Sequence, residues 1–423
     1  MTLFVGEKID FDQLVDASGQ QLSVDEVNEK YVRGDIRIVT EQARYPLNTI
    51  VTMVESGDYE LNPEFQRRHR WSKLKQSRLI ESFIMNVPIP PIFLYEVKYS
   101  QYEVMDGLQR LTAIADFYRG VYKLESLQEW KELNGLTYSK LPEQVRRGID
   151  RRYLSSIILL RETAKTEAQA QALKQMVFER INSGGDKLEA QESRNALYNG
   201  PLNQLCIRLA ALPSFRRMWD IPTPETHVQP APKPAALFDL NLEESEVDEN
   251  DVTVPLSYEA ALATHPLYRT MQDVELVLRF FANRQIEDVE QGRLQDYLDL
   301  FLKKGNEFNA PLLIEYEKLF TSTSDFVFAL LGEKAFRLFR KRKNSQGSGQ
   351  WFDRPTKVVY DALMYSASEN LHRQDDLLRL PNWLERMQDF YVKNQVLFAG
   401  RSTNKQDLLE RRRLALALFS DAR

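Results

Sequence analysis

The sequence predicts an α+β protein: a small mixed core of strands embedded in helices, followed by a mainly α-helical C-terminal region. Three observations predict it. Apolar stretches "IFLYEV" and "YEVMD", rich in β-branched and aromatic residues, flank the polar "KYSQ" as the two arms of a hairpin would. Helical spacing of apolar residues recurs on both sides of that hairpin. Beyond residue 257 the pattern is helical almost throughout, and no internal repeat interrupts it.

The elements follow in order. Residues 1–40 are acidic and weakly patterned, an N-terminal extension before a core domain expected at 41–215. "LNTIVTMVESGDYEL" reads as an amphipathic helix with Ile50, Met53 and Val54 on one face and Gly57 past its end. "SKLKQSRLIESFIMN" is a second helix with Ser72 as its N-cap. The prolines of "VPIPPIFLYEV" end it and lead into the hairpin. Residues 107–210 read as mainly helical, with "AKTEAQAQALKQMVFERIN" stopped at Ser183-Gly184-Gly185 and "KLEAQESRNALYNG" starting the next helix. Residues 216–257 form an expected linker, since 221–257 combine six prolines with an acidic run. Residues 258–423 are then a helical domain whose C-terminal part is basic.

Length and composition narrow the class. At 423 residues the chain suggests two or three domains. No apolar run reaches the roughly 20 residues of a membrane span, and the early acids exclude a secretory signal in "MTLFVGEKIDFDQ". The lone Cys206 excludes an internal disulfide and a cysteine zinc site, and a cytoplasmic protein is expected. The net charge of −5 hides an asymmetry: from Lys334 onward 18 Lys and Arg face 10 Asp and Glu, net +8, which leaves −13 for the first 333 residues. A polyanion such as DNA would suit that basic part, in particular Lys341, Arg342 and Lys343 in a loop and Arg411 and Arg412 in the last helix. A solvated face fits the same charges.

Three stretches carry candidate chemistry. In "VMDGLQRLTAI" a strand turns into a helix at Gly107, and a helix N-terminus attracts phosphate. There Asp106 can hold a magnesium ion or position water, Gln109 can orient that water, and Arg110 can add donors. An ordinary turn with Asp106 as cap explains the local pattern as well. In "FQRRHRWSKLKQSR", six cations in 12 residues, Arg68 and Arg70 among them, surround Trp71 and suit a polyanion, or else form a solvated flank. In "VFERINSGGDKLEAQESRNALYNG", Glu192 and Asn195 share a helix face beyond a glycine turn, and Arg180 can equally tie two helices together through Glu192. No P-loop, histidine cluster or recognisable nuclease motif is present.

In this order the three stretches resemble the DGQQR-motif domain, the N-terminal domain of GmrSD-type, modification-dependent restriction enzymes, with its ParB/sulfiredoxin-like core; the resemblance spans residues 40–210. It implies a nucleoside triphosphate and Mg2+ as cofactors, with Asp106, Gln109 and Arg110 catalytic and Asp106 the metal ligand. Gln66, Arg67, Gly107, Arg180, Asn182, Glu192 and Asn195 would bind the nucleotide. It also implies an NTP-hydrolysing, DNA-binding sensor subunit in anti-phage defence, with modified phage DNA and a separate nuclease subunit as partners and a homo-oligomer as an option. A non-catalytic ParB-like regulator using nucleotide as a switch is the alternative. Two departures stand out. Leu108 occupies a motif position that usually holds glutamine, and His372 is the only histidine after position 265, which speaks against an HNH-type nuclease in this chain.

Overall fold

The computed structural model describes residues 3–11, 23–33, 38–61, 71–161, 166–182, 189–225, 257–288, 293–341, 349–398 and 404–420. The chain forms two units, Ser18–Leu197 and, in the second, Met1–Ala17 with Tyr198–Arg423.

The first unit is built on a five-stranded mixed sheet in the order β1-β5-β3-β4-β2. Its strands are β1 (Thr40–Pro46), β2 (Tyr59–Glu60), β3 (Ile92–Lys98), β4 (Gln101–Asp106) and β5 (Tyr153–Leu159). The expected hairpin is present: β3 and β4 pair antiparallel, with Leu94 opposite Val104. Two further strands escape sequence reading. β1 is an edge strand, mostly exposed, so "TEQARYP" shows no apolar alternation. β5, "YLSSIIL", is a short apolar run that periodicity cannot separate from a buried helix turn. It pairs parallel to β3, a partner some 60 residues earlier that no local pattern announces.

Alternation along the strands covers both faces of the sheet. Ile92, Leu94, Leu154 and Ile158 join one core with α2 (Ile50–Glu55), α3 (Lys73–Met85), α4 (Leu108–Tyr118) and α5 (Glu143–Asp150). Phe93, Tyr95, Met105 and Leu159 point the other way, onto α6 (Glu167–Asn182) and α7 (Ala190–Leu197). A further helix of this unit, α1 (Val24–Arg33), precedes β1. Tyr45 on β1 and Tyr59 on β2 have ring centroids 6.2 Å apart although they sit on opposite edges. Four strand spacings of a flat sheet would separate them by about 19 Å, so the sheet curls around its first core.

The start and stop of α3 follow the sequence. Ser72 Oγ accepts from Lys75 N at 3.3 Å. Asn86 closes the helix in the left-handed conformation, φ 60°, and Pro88, Pro90 and Pro91 prevent its continuation.

The second unit is helical, and it claims more of the chain than expected. The helices α8 (Pro201–Leu209) and α9 (Pro213–Met218) fall in it, so the boundary lies at Leu197/Tyr198 instead of 215. The reason is their apolar face: Leu202, Leu205, Cys206 and Phe215 are buried, and the Phe215 ring lies 5.5 Å from Phe320. The core continues through α10 (Tyr258–Thr264), α11 (Pro266–Arg269), α12 (Gln272–Ala282), α13 (Leu294–Gly305) and α14 (Ala310–Leu331). It is completed by α15 (Lys357–Glu369), α16 (Gln374–Arg379), α17 (Trp383–Lys393) and α18 (Lys405–Ser420). The N-terminal residues also belong here, because Glu7, Ile9 and Phe11 are buried in this unit. The expected basic loop is a two-stranded ribbon, β6 (Arg337–Arg340) with β7 (Gln350–Pro355). Of the expected linker, 226–256 lie outside the described residues. Among the described residues no helix is long and apolar enough to cross a membrane.

Candidate functional site

The strand-to-helix turn after β4 is fixed by sterics. Gly107 sits at φ +94°, and a Cβ there would lie 2.2 Å from Ile92 Cγ2 and 2.8 Å from Ile92 Cβ. No L side chain tolerates both the left-handed backbone and that approach. Glycine lets the chain reverse against β3 and start α4 at once, with Leu111 N donating to Gly107 O at 3.0 Å.

Three motif side chains tie this turn to its surroundings. Arg110 Nη2 donates to Asp106 Oδ2 at 2.6 Å, an i,i+4 pair across the turn. Its Nη1 donates to Pro90 O at 2.5 Å and to Pro91 O at 3.3 Å. Arg110 therefore clamps the proline segment onto the start of α4, whereas the sequence suggested a phosphate ligand. Gln109 Oε1 accepts from Trp71 N at 3.2 Å, which joins the start of α3 to the start of α4. Trp71 packs against the first core, with the Lys75 ammonium 4.7 Å over its ring. The Asp106 side chain retains 37% of its exposure and Arg110 only 11%. The carboxylate is thus the part of the clamp that faces water.

The third motif stretch lies on the other face of the sheet. Glu192 and Asn195 in α7 are buried together with Gln191 and Arg194. Glu192 Oε2 accepts from Glu189 N at 2.8 Å, a cap on the helix start, and Arg194 Nη1 donates to Gln191 Oε1 at 3.2 Å. Arg180 is exposed on α6, and Asn182 ends that helix. Gln66, Arg67, Arg68 and Arg70 lie outside the described residues. The structure thus brings Asp106, Gly107, Gln109 and Arg110 to one turn and holds Glu192 and Asn195 across the sheet.

A feature of that second face has no signal in the sequence. Lys174 of α6, 7% exposed, pairs with Glu103 of β4 at 2.5 Å. It lines a shallow surface dimple with Ile38, Tyr95, Leu159 and Leu173. The pair joins positions 71 apart, so spacing could not reveal it.

Among the described residues no group of three or more His, Cys, Asp or Glu side chains could hold a metal. A cage made wholly of protein ligands does not fit the described residues. A magnesium–nucleotide does fit Asp106, since that ion commonly takes one or two carboxylates and draws its other ligands from phosphates and water.

The basic residues divide sharply. Lys341 is exposed, and Arg342 and Lys343 lie outside the described residues. The assignment of Arg411 and Arg412 to a nucleic-acid surface is corrected by their burial, at 4% and 2% exposure. Arg411 Nε donates to Leu397 O at 2.9 Å. Arg412 Nη2 donates to Asn283 O at 2.6 Å, and its guanidinium lies 4.1 Å over the Tyr365 ring. Burial pushes the pKa of both guanidiniums down. Of "RRR", only Arg413 faces water, paired with Glu410 at 2.6 Å.

Fold and site together define a helix-flanked mixed-sheet domain with a fixed Asp-Gly strand-to-helix turn. Residues 47–199 match the family described as GmrSD restriction endonuclease, N-terminal domain, and this part of the chain is similar to it. No curated protein and no solved structure matches the chain.

Proposed function

We propose that the sheet unit binds a nucleoside triphosphate at the turn after β4 and hydrolyses it, as the sensor subunit of a modification-dependent restriction system that acts on phage DNA with a separate nuclease subunit. One observation carries the nucleotide reading: the water-facing Asp106 carboxylate sits at the N-terminus of an 11-residue helix. The helix dipole and its unpaired N–H groups favour phosphate there. Bound magnesium would neutralise phosphate charge, with Asp106 as its protein ligand. The chain's own residues then do the positioning. Arg110 orients Asp106, Gln109 holds α3 against α4, and Gly107 lets β4 turn directly into α4 against Ile92.

A second reading, a ParB-like regulator that binds nucleotide as a switch without hydrolysing it, is favoured by one feature. The two terminal nitrogens of Arg110 serve Asp106 and the proline carbonyls, and Leu108 brings no polar group to the first turn. Titration calorimetry and phosphate release with each NTP and Mg2+ separate the two readings. Hydrolysis by wild type that is lost in Asp106→Ala supports the enzyme. Tight binding without phosphate release supports the switch, and binding unchanged in Asp106→Ala rejects the site.

A further inference from the structure

The second unit carries a surface of a different kind. Between 334 and 357 the sequence holds eight Lys and Arg and one acid, Asp353. The structure folds the described part of this stretch into the β6–β7 ribbon, with Phe339 opposite Trp351 and Arg340 opposite Gln350.

One face of the ribbon is sealed. Phe339 is 8% exposed and its ring lies 5.4 Å from Trp351, which meets the edge of Tyr391 on α17 at 6.2 Å. Alternation places Arg340, Gln350, Phe352 and Arg354 on the opposite face. There the Arg340 guanidinium lies 4.7 Å over the Phe352 ring. Lys341 and Arg354 are exposed beside it. Arg337 takes no part, since it pairs with Asp220 at 2.5 Å.

We infer that this ribbon is a docking surface for duplex DNA, held through Arg340, Lys341 and Arg354. The inference extends the DNA-directed part of the proposed function but does not depend on the nucleotide site. Three points favour a duplex. A two-stranded ribbon matches the roughly 12 Å width of a major groove. The Phe352 ring under the Arg340 guanidinium holds that charge at the ribbon by a cation–π contact. The exposed cations Lys341 and Arg354, with Arg340 between the strands' ends, outnumber the ribbon's one acid, Asp353, and suit a phosphate backbone.

The test is fluorescence anisotropy of the full chain with a labelled random-sequence duplex across a salt series. Lys341→Glu/Arg354→Glu changes exposed positions only, so its melting temperature should match wild type. Its duplex affinity should fall by about tenfold or more at low salt, and the slope of log affinity against log salt should shrink by about 2. Arg340→Lys keeps the charge, loses the planar stack, and should fall between the two. Arg147→Glu, at an exposed position of the sheet unit, should bind duplex as wild type does. An affinity for duplex within about twofold of wild type in the double variant overturns the inference. So does wild-type binding to poly-glutamate as tight as to duplex, which would make the ribbon a site for an acidic protein. Nucleotide affinity, read on the same double variant, should be unchanged. Wild type that binds nucleotide but no duplex overturns the ribbon alone.

Discussion

The interior of the helical unit and the motif turn of the sheet unit hold charge in opposite ways. Two ion pairs of the helical unit are sealed: Glu7 and Arg284 are 0% and 2% exposed, and Arg279 and Asp361 are 10% and 8% exposed. Every atom around Glu7 is committed, with Tyr316 OH donating to it at 3.0 Å and Phe4 N at 2.6 Å. In the sheet unit the motif pair Asp106–Arg110 keeps its carboxylate half in water. A sealed pair cannot exchange partners with a ligand, because releasing either charge leaves it unsolvated. An open pair can. The contrast teaches that the many cations of this chain do not share one role, and that burial assigns the roles.

The largest effect should come from breaking a sealed pair. Glu7→Ala strands Arg284 and the Tyr316 hydroxyl in the interior and should cost about 3–5 kcal/mol, read by urea denaturation. A cost under about 1 kcal/mol would mean that water reaches this pair and the contrast fails. Next, Gly107→Ala forces a Cβ onto Ile92 and should destabilise the sheet unit by about 3 kcal/mol, read by thermal melting. A variant that folds as stably as wild type would show that the turn is not fixed as described.

A pH effect of intermediate size belongs to the helical unit. Burial pushes the His265 imidazole down from its ordinary 6.5 to about 4, and its Nδ1 is buried without a hydrogen-bond partner. The unfolded chain takes up the proton first, so this contribution is complete above pH 6.5 and is lost as pH falls toward 4. Wild type should lose about 1–3 kcal/mol across that window on this account. His265→Gln should flatten that part of the profile, and an unchanged profile would count against the burial.

Smaller still is the stability cost of opening the motif pair. Asp106→Asn should cost only about 0.5–1 kcal/mol, because water screens a half-exposed carboxylate, while nucleotide affinity falls markedly. A stability loss as large as that of Glu7→Ala, with nucleotide affinity retained, would make the pair purely structural. At the bottom of the scale, Arg147→Ala breaks a fully solvent-facing pair with Glu143 and should shift the melting curve within error.

Much of the first unit was legible in sequence, for identifiable reasons. The N-cap Ser72, the proline stop and the β3–β4 hairpin are set by neighbours a few residues apart, where backbone chemistry is local. The Asp106-Gly107 turn was legible because glycine is required there by backbone conformation. The role of Arg110 was not, since its carbonyl partners Pro90 and Pro91 lie 20 and 19 residues away. The burial of Arg411 and Arg412 was equally hidden. A run of three arginines looks solvated until the helix is set against Tyr365 and Asn283.

What the sequence determined by itself was therefore local: where helices start and stop, where the chain must turn, and which family the motif stretches resemble. Tertiary structure alone decided that β1 and β5 complete the sheet, that residues 3–11 and 198–218 belong with the helical unit, and that the basic loop is a ribbon. It also decided which cations meet water. The physical reason is common to all of these. Strand pairing, burial and ion pairing join positions far apart in sequence, and their energies depend on what excludes water around them, which no spacing along the chain records.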